Sequence, residues 1–198
     1  MAAAVPAQKP GDPTPIRYWV VPAVRAAVAL AAAVVITFTR DAHTAQFGLI
    51  VFGAFAVADG LTTSVLTLLL GSRGLTRTLF VIQGVIGVIA GVLALALMTS
   101  GLGLYLYLVT VWAALTGFLE LYNGVRGRRS EAAARDWLIT GSLTAVLALV
   151  LLFAPADAVL AIGLFGAWAV IIGVFQAIGA ASLRSAARVA AQRAESGS

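Results

Sequence analysis

Two charged residues, Arg25 and Asp59, stand deep inside otherwise apolar stretches of this 198-residue chain. An isolated charge at bilayer depth costs about 2.5–3.5 kcal/mol on insertion scales, so opposite charges at one depth are driven to pair. Arg25 lies about two turns inside the first apolar run, and Asp59 about eleven residues from the end of the second. At 1.5 Å per residue both are roughly 12–16 Å from the same side, within reach of a long arginine whose fork matches a carboxylate. An intramembrane Arg25–Asp59 pair is therefore expected. It could act as a static clamp between two helices or as a protonatable carboxylate in a translocation or sensing path. Glu120 stands about one turn from the end of the fourth run, near Arg126, Arg128 and Arg129; it reads either as an interfacial residue reaching toward water or, from its repeat equivalence to Gln176, as an intramembrane polar group on a column that faces other helices. Gln83 and Gln176 are intramembrane amides that could hydrogen-bond across a helix bundle, at typically about 0.6 kcal/mol per contact.

These groups are too few to define a reaction. Cysteine is absent, which excludes thiol nucleophiles and thiolate metal sites, and the single histidine, His43, cannot build a histidine-rich centre. No nucleophile elbow, HExxH or P-loop lysine motif occurs. The expectation is a non-enzymatic protein with no catalytic residue, metal or cofactor.

The elements that must position these residues are six apolar runs: Tyr18–Thr39, Ala45–Leu70, Thr78–Met98, Leu102–Tyr122, Trp137–Phe153 and Val159–Ser182. Lipid offers no water to a backbone N–H or C=O, so runs of this length cross it as helices. Composition agrees: 61% of residues are hydrophobic and 11% charged, against about 25% charged in a soluble domain. The fold class expected is an all-α, polytopic membrane protein with six transmembrane helices arranged as three antiparallel hairpins. The hairpins span about 18–70, 78–122 and 137–183, between an N-terminal tail (1–17) and a C-terminal tail (184–198).

Eleven of the thirteen Lys and Arg residues fall on one side of this arrangement, including the basic connection with Arg126, Arg128, Arg129 and Arg135; Arg40 lies on the other and Arg25 inside a span. The positive-inside rule then places both termini in the cytoplasm. The net charge of +5 is accounted for by these topology signals and does not point to nucleic acid. Lipid is the expected partner, with a second copy of the chain or another membrane protein as a further possibility. The basic connection could touch a cytoplasmic partner or anionic lipid if the chain is an accessory subunit.

The even-numbered runs repeat one another. "FGAFAVADGLTT", "TVWAALTGFLE" and "FGAWAVIIGVFQ" align without gaps, placing Phe55, Trp112 and Trp168 in one column, Gly60, Gly117 and Gly173 in a second, and Thr63, Glu120 and Gln176 in a third. Among the odd-numbered runs Gly84 falls under Gly141, with Ala23 in that column of the first. A threefold repeat predicts a pseudo-threefold bundle. Its glycines predict close helix packing, because hydrophobicity does not drive helices together inside lipid. Trp19, Trp137, Tyr18 and Tyr122 are placed for an aromatic belt at one interface and Tyr105 and Tyr107 at the other.

These segments resemble the HdeD-type acid-resistance membrane proteins. "LIVFGAFAVADGL" is similar to that family's second helix, "WAALTGFLELYNG" and "LFGAWAVIIGVFQAIGAASLR" to its fourth and sixth, and Trp19 with Arg25 to its opening Trp…Arg-Gly pattern. Ala26 replaces the usual glycine, and Pro22 is a departure that predicts a kink. The resemblance covers about residues 18–185. It implies a six-helix bacterial inner-membrane protein linked with envelope or acid-stress tolerance. A small transporter or proton-linked channel gated by Arg25 and Asp59 is the competing expectation. Topology reporters fused after Gly101 and after Gly127 should report opposite faces of the membrane; activity on the same face would overturn the six-span reading.

Overall fold

The computed structural model describes residues 19–70, 74–128 and 133–196. It contains six helices: α1 (Val20–Phe38), α2 (Ala45–Leu70), α3 (Leu75–Ala96), α4 (Leu102–Gly127), α5 (Ala134–Phe153) and α6 (Ala158–Ser196), with a 3-10 turn at Arg40–Ala42. All six carry stretches long and apolar enough to cross a membrane, and the chain is an all-α, multi-pass membrane protein. The expected N-terminal tail, Tyr18 and Arg129 lie outside the described residues.

The helices overrun the apolar stretches. α3 starts three residues earlier than hydropathy suggests, α4 continues to Gly127, and α6 runs on through the Ala-Arg-rich segment to Ser196. Hydropathy marks where lipid ends, whereas Ala and Arg sustain a helix into the interface and beyond. Pro22 causes no break. It occupies the first turn of α1, where its missing N–H has no intrahelical partner to lose.

Short connections at one end, here the turn end, join α1 to α2, α3 to α4 and α5 to α6. Thr44 Oγ1 accepts the Phe47 N–H at 3.2 Å and Asp157 Oδ1 accepts the Leu160 N–H at 2.7 Å, capping α2 and α6. Gly101 enters α4 with φ +86°, a left-handed conformation that favours glycine. The opposite end carries Arg77, Arg126, Arg128, Arg135 and Arg184 and is the basic end.

Consecutive helices pack in order around a pseudo-threefold axis, and α6 packing on α1 closes the ring. The closest pairs are α2 with α3, α4 with α5 and α6 with α1, across the basic end rather than within the turn-linked hairpins. Glycine explains the choice. A Cβ at Gly60 would lie 2.5 Å from the Gly84 carbonyl oxygen, and one at Gly117 would lie 2.8 Å from the Ala145 nitrogen and 3.0 Å from the Gly141 oxygen. A Cβ at Gly141 would approach the Leu121 nitrogen to 2.7 Å. At the third seam the hole is on one helix only: Gly173 and Gly166 of α6 receive Leu30 and Ile36 of α1, which contains no glycine.

The column Phe55, Trp112 and Trp168 meets on the axis. The three rings are mutually edge-to-face, with centroids 5.6, 5.4 and 5.7 Å apart and interplanar angles of 88–90°. Phe52 and Phe165 extend this plug toward the turn end. Edge-to-face pairs contribute about 0.5–1.5 kcal/mol each beyond burial. Tyr105 belongs to this interior rather than to an interface, being 0% exposed, whereas Tyr107 faces outward. Trp137 is likewise buried against Phe80 at 5.0 Å, so packing rather than an interfacial belt accounts for it. The outer surface is lined by large apolar side chains such as Leu61, Ile89, Phe118 and Leu152, which lipid covers.

Replacing Gly117 with valine should lower unfolding stability in detergent by about 1–3 kcal/mol, through backbone overpacking. Gly103→Val, at a position where an added Cβ meets nothing within 4 Å, should leave the unfolding midpoint unchanged. Equal effects would show that the α4–α5 seam is not held by close approach.

Candidate functional site

On the basic-end side of the aromatic plug the core turns polar. Along α2 Asp59 follows Phe55 by about one turn, and along α4 Glu120 follows Trp112 by about two, so both carboxyls point toward the axis below the rings. Arg25, in the basic-end half of α1, reaches both. Its Nε donates to Asp59 Oδ1 at 2.9 Å, its Nη2 to Asp59 Oδ2 at 3.5 Å, and its Nη1 lies 3.0 Å from Glu120 Oε1. Gln83 Nε2 of α3 donates to the same Glu120 oxygen at 2.8 Å. A single chain of contacts, Asp59–Arg25–Glu120–Gln83, thus joins α1, α2, α4 and α3.

The structure therefore brings Arg25 and Asp59 together, and adds Glu120. Of the two readings of Glu120, the interfacial one does not hold. α4 extends seven residues beyond it to Gly127, and its side chain is 4% exposed, so it is an interior partner of Arg25. With both carboxyls ionised, two negative charges face one guanidinium. Such a cluster is costly to bury, and removing one partner from a buried ion pair is costlier than exchanging the whole set for apolar groups.

Around the trio lie further buried polar side chains. Thr63 and Gln176 share the repeat column of Glu120, and Asn123, 1% exposed, sits less than one turn beyond it on α4. Thr116, Thr140 and Thr144 donate back to carbonyls of their own helices, and Trp168 Nε1 donates to Thr144 Oγ1 at 3.3 Å. Asn123 was not singled out from sequence. Its signal was its spacing, three residues after Glu120 on one helix face.

A cavity of about 60 Å³ opens between α1, α5 and α6, with Pro22, Arg25, Asp136, Trp137, Gln176 and Gly179 in its walls. Of the trio it is Arg25 that lines this cavity, which lies on the basic-end side. The basic residues Arg126, Arg128 and Arg135 are exposed around that end and do not approach the trio. Arg184 lies over the Trp19 ring at 5.0 Å, a cation–π contact tying α6 to the start of α1. His43 Nε2 lies 2.9 Å from the Ile36 carbonyl oxygen in the first turn, remote from the trio. Among the described residues no group of three or more His, Cys, Asp or Glu side chains is placed to hold a metal.

A six-helix membrane bundle with an internally paired charged core is the class that this geometry defines. The chain belongs to the family described as a short repeat of unknown function (DUF308), whose model matches twice, over residues 82–153 and 139–193. The two matches begin 57 residues apart, the spacing that also separates Gly60 from Gly117 and Gly84 from Gly141. HdeD-type proteins belong to the same family. No curated protein and no solved structure matches the chain.

Exchanging Arg25 and Asp59 is not a clean test of the pair, since a carboxylate at position 25 would also face Glu120. Arg25→Met alone should cost about 3–5 kcal/mol in unfolding experiments, because it strands two buried carboxyls. In an Asp59→Asn, Glu120→Gln background the same substitution should cost far less. Additive losses would show that the three residues are not energetically coupled.

Proposed function

We propose that the protein is a non-enzymatic component of the bacterial inner membrane, with both termini cytoplasmic, supporting envelope or acid-stress tolerance. The observation that carries this reading is that the core charges are engaged with one another. Arg25 joins α1 to α2 and α4, Glu120 adds Gln83 of α3, and the turn-end half of the axis is filled by aromatic rings. A core so engaged suits a mechanically fixed bundle better than a reaction centre. The basic end supports the orientation, since arginine-rich connections stay on the cytoplasmic side. Kinship with HdeD-type proteins supports the stress role.

A second reading, a proton-linked transporter, is favoured by the cavity that reaches Arg25 from the basic end. Two measurements separate them. Deleting the gene from its host should reduce survival under acid or envelope stress, with rescue by the wild-type chain; unchanged survival under both would remove the stress role. Proteoliposomes containing the protein should show no proton flux beyond protein-free controls. Flux that Asp59→Asn abolishes would install the transporter reading instead.

A further inference from the structure

Four neutral oxygens in the polar half have no hydrogen-bond partner among the described residues: Thr63 Oγ1, Gln83 Oε1, Asn123 Oδ1 and Gln176 Oε1; the amide nitrogen of Asn123 is likewise unpartnered. All four residues are more than nine-tenths buried. Repeat position and helix spacing put them in the layer of Glu120. Thr63 and Gln176 are its counterparts in the other two repeats, Gln83 touches it, and Asn123 lies three residues further along its helix. Gln83 and Arg25 both meet Oε1 of Glu120, so neither uses Oε2. Buried acceptors without donors are costly in any protein interior, and most are satisfied.

Charge points the same way. With both carboxyls ionised, the two carboxylates and one guanidinium leave one negative charge. A proton would cancel that charge but would leave the neutral oxygens as they are. A divalent ion would overshoot it, and soft metals have no thiolate here to select them. One small monovalent cation cancels the charge and, directly or through its bound water, gives the oxygens partners; carboxylate, amide and hydroxyl oxygens are hard ligands that suit it. The cavity between α1, α5 and α6 meets this layer at Gln176 and Arg25. Its 60 Å³ holds a few water molecules, Gln176 lies in its wall beside Arg25, and Asp136 adds a carboxylate toward the basic end.

We propose that the polar layer around Glu120 binds one small monovalent cation, of the alkali or ammonium type, admitted from the basic end. This goes beyond the stress role and requires no transport across the bundle.

The test uses the full-length protein purified in mild detergent. Its thermal midpoint is measured as choline chloride is replaced by NaCl, KCl or NH4Cl at fixed ionic strength and pH. At least one of the three should raise the midpoint saturably above that in choline. Gln176→Leu, which leaves the charged trio in place, should weaken the apparent affinity about tenfold. Glu120→Gln, which removes the surplus charge, should abolish the effect. Midpoints equal to those in choline for all three salts would overturn the proposal. So would an undiminished cation response in either variant. A midpoint that rises only with acidification, whatever the salt, would assign the charge to a proton instead.

Discussion

A guanidinium stays charged at any pH that a cell meets, so wherever the fold places Arg25 it must also place negative partners. Lipid itself offers no water to substitute for them. This requirement governs how α1 sits in the bundle. α1 has no glycine of its own and gains its close seam only by inserting Leu30 and Ile36 against α6. Arg25 supplies the contacts that apolar packing does not, gripping α2 through Asp59 and α4 through Glu120.

Around that constraint the axis divides into two chemically distinct halves. Toward the turn end, aromatic rings interlock edge to face and exclude polar groups. Toward the basic end, carboxyls, amides and hydroxyls share the space with Arg25. The division follows from sequence order along the even-numbered helices, each of which passes from its aromatic position to its polar position over about two turns. Helix direction then puts all three polar positions at the same end. The outer faces need only be apolar, and they carry no comparable pattern.

Most of the fold was legible in the sequence because lipid makes length and hydropathy decisive, and because the repeat exposes which positions are equivalent. The repeat put Phe55, Trp112 and Trp168 in one column, and the structure shows that this column meets on the axis. The pairing of α2 with α3 and of α4 with α5 was less legible. Short turns suggest the partner next along the chain, whereas the glycine faces at Gly60, Gly84, Gly117 and Gly141 select the other neighbour. For Glu120 two signals competed: hydropathy ended the fourth span at Tyr122 and drew the carboxyl toward the interface, whereas the repeat column pointed inward; the helix continues to Gly127 and leaves the carboxyl well inside. Tyr105 and Trp137 were assigned to interfaces from their position near span ends; the direction in which each side chain points decides burial, and sequence position alone does not carry it.

The three polar positions on the axis hold a hydroxyl, a carboxyl and an amide, at Thr63, Glu120 and Gln176. An assembly of three identical hairpins could not do this. Strict symmetry would force three acids onto one point or none, and three would repel too strongly to be enclosed. Fusing the copies into one polypeptide lets each diverge, so a lone acid can occupy a place where symmetry would have tripled it. Here the covalent linkage between copies is what makes an odd electrostatic count at the centre attainable.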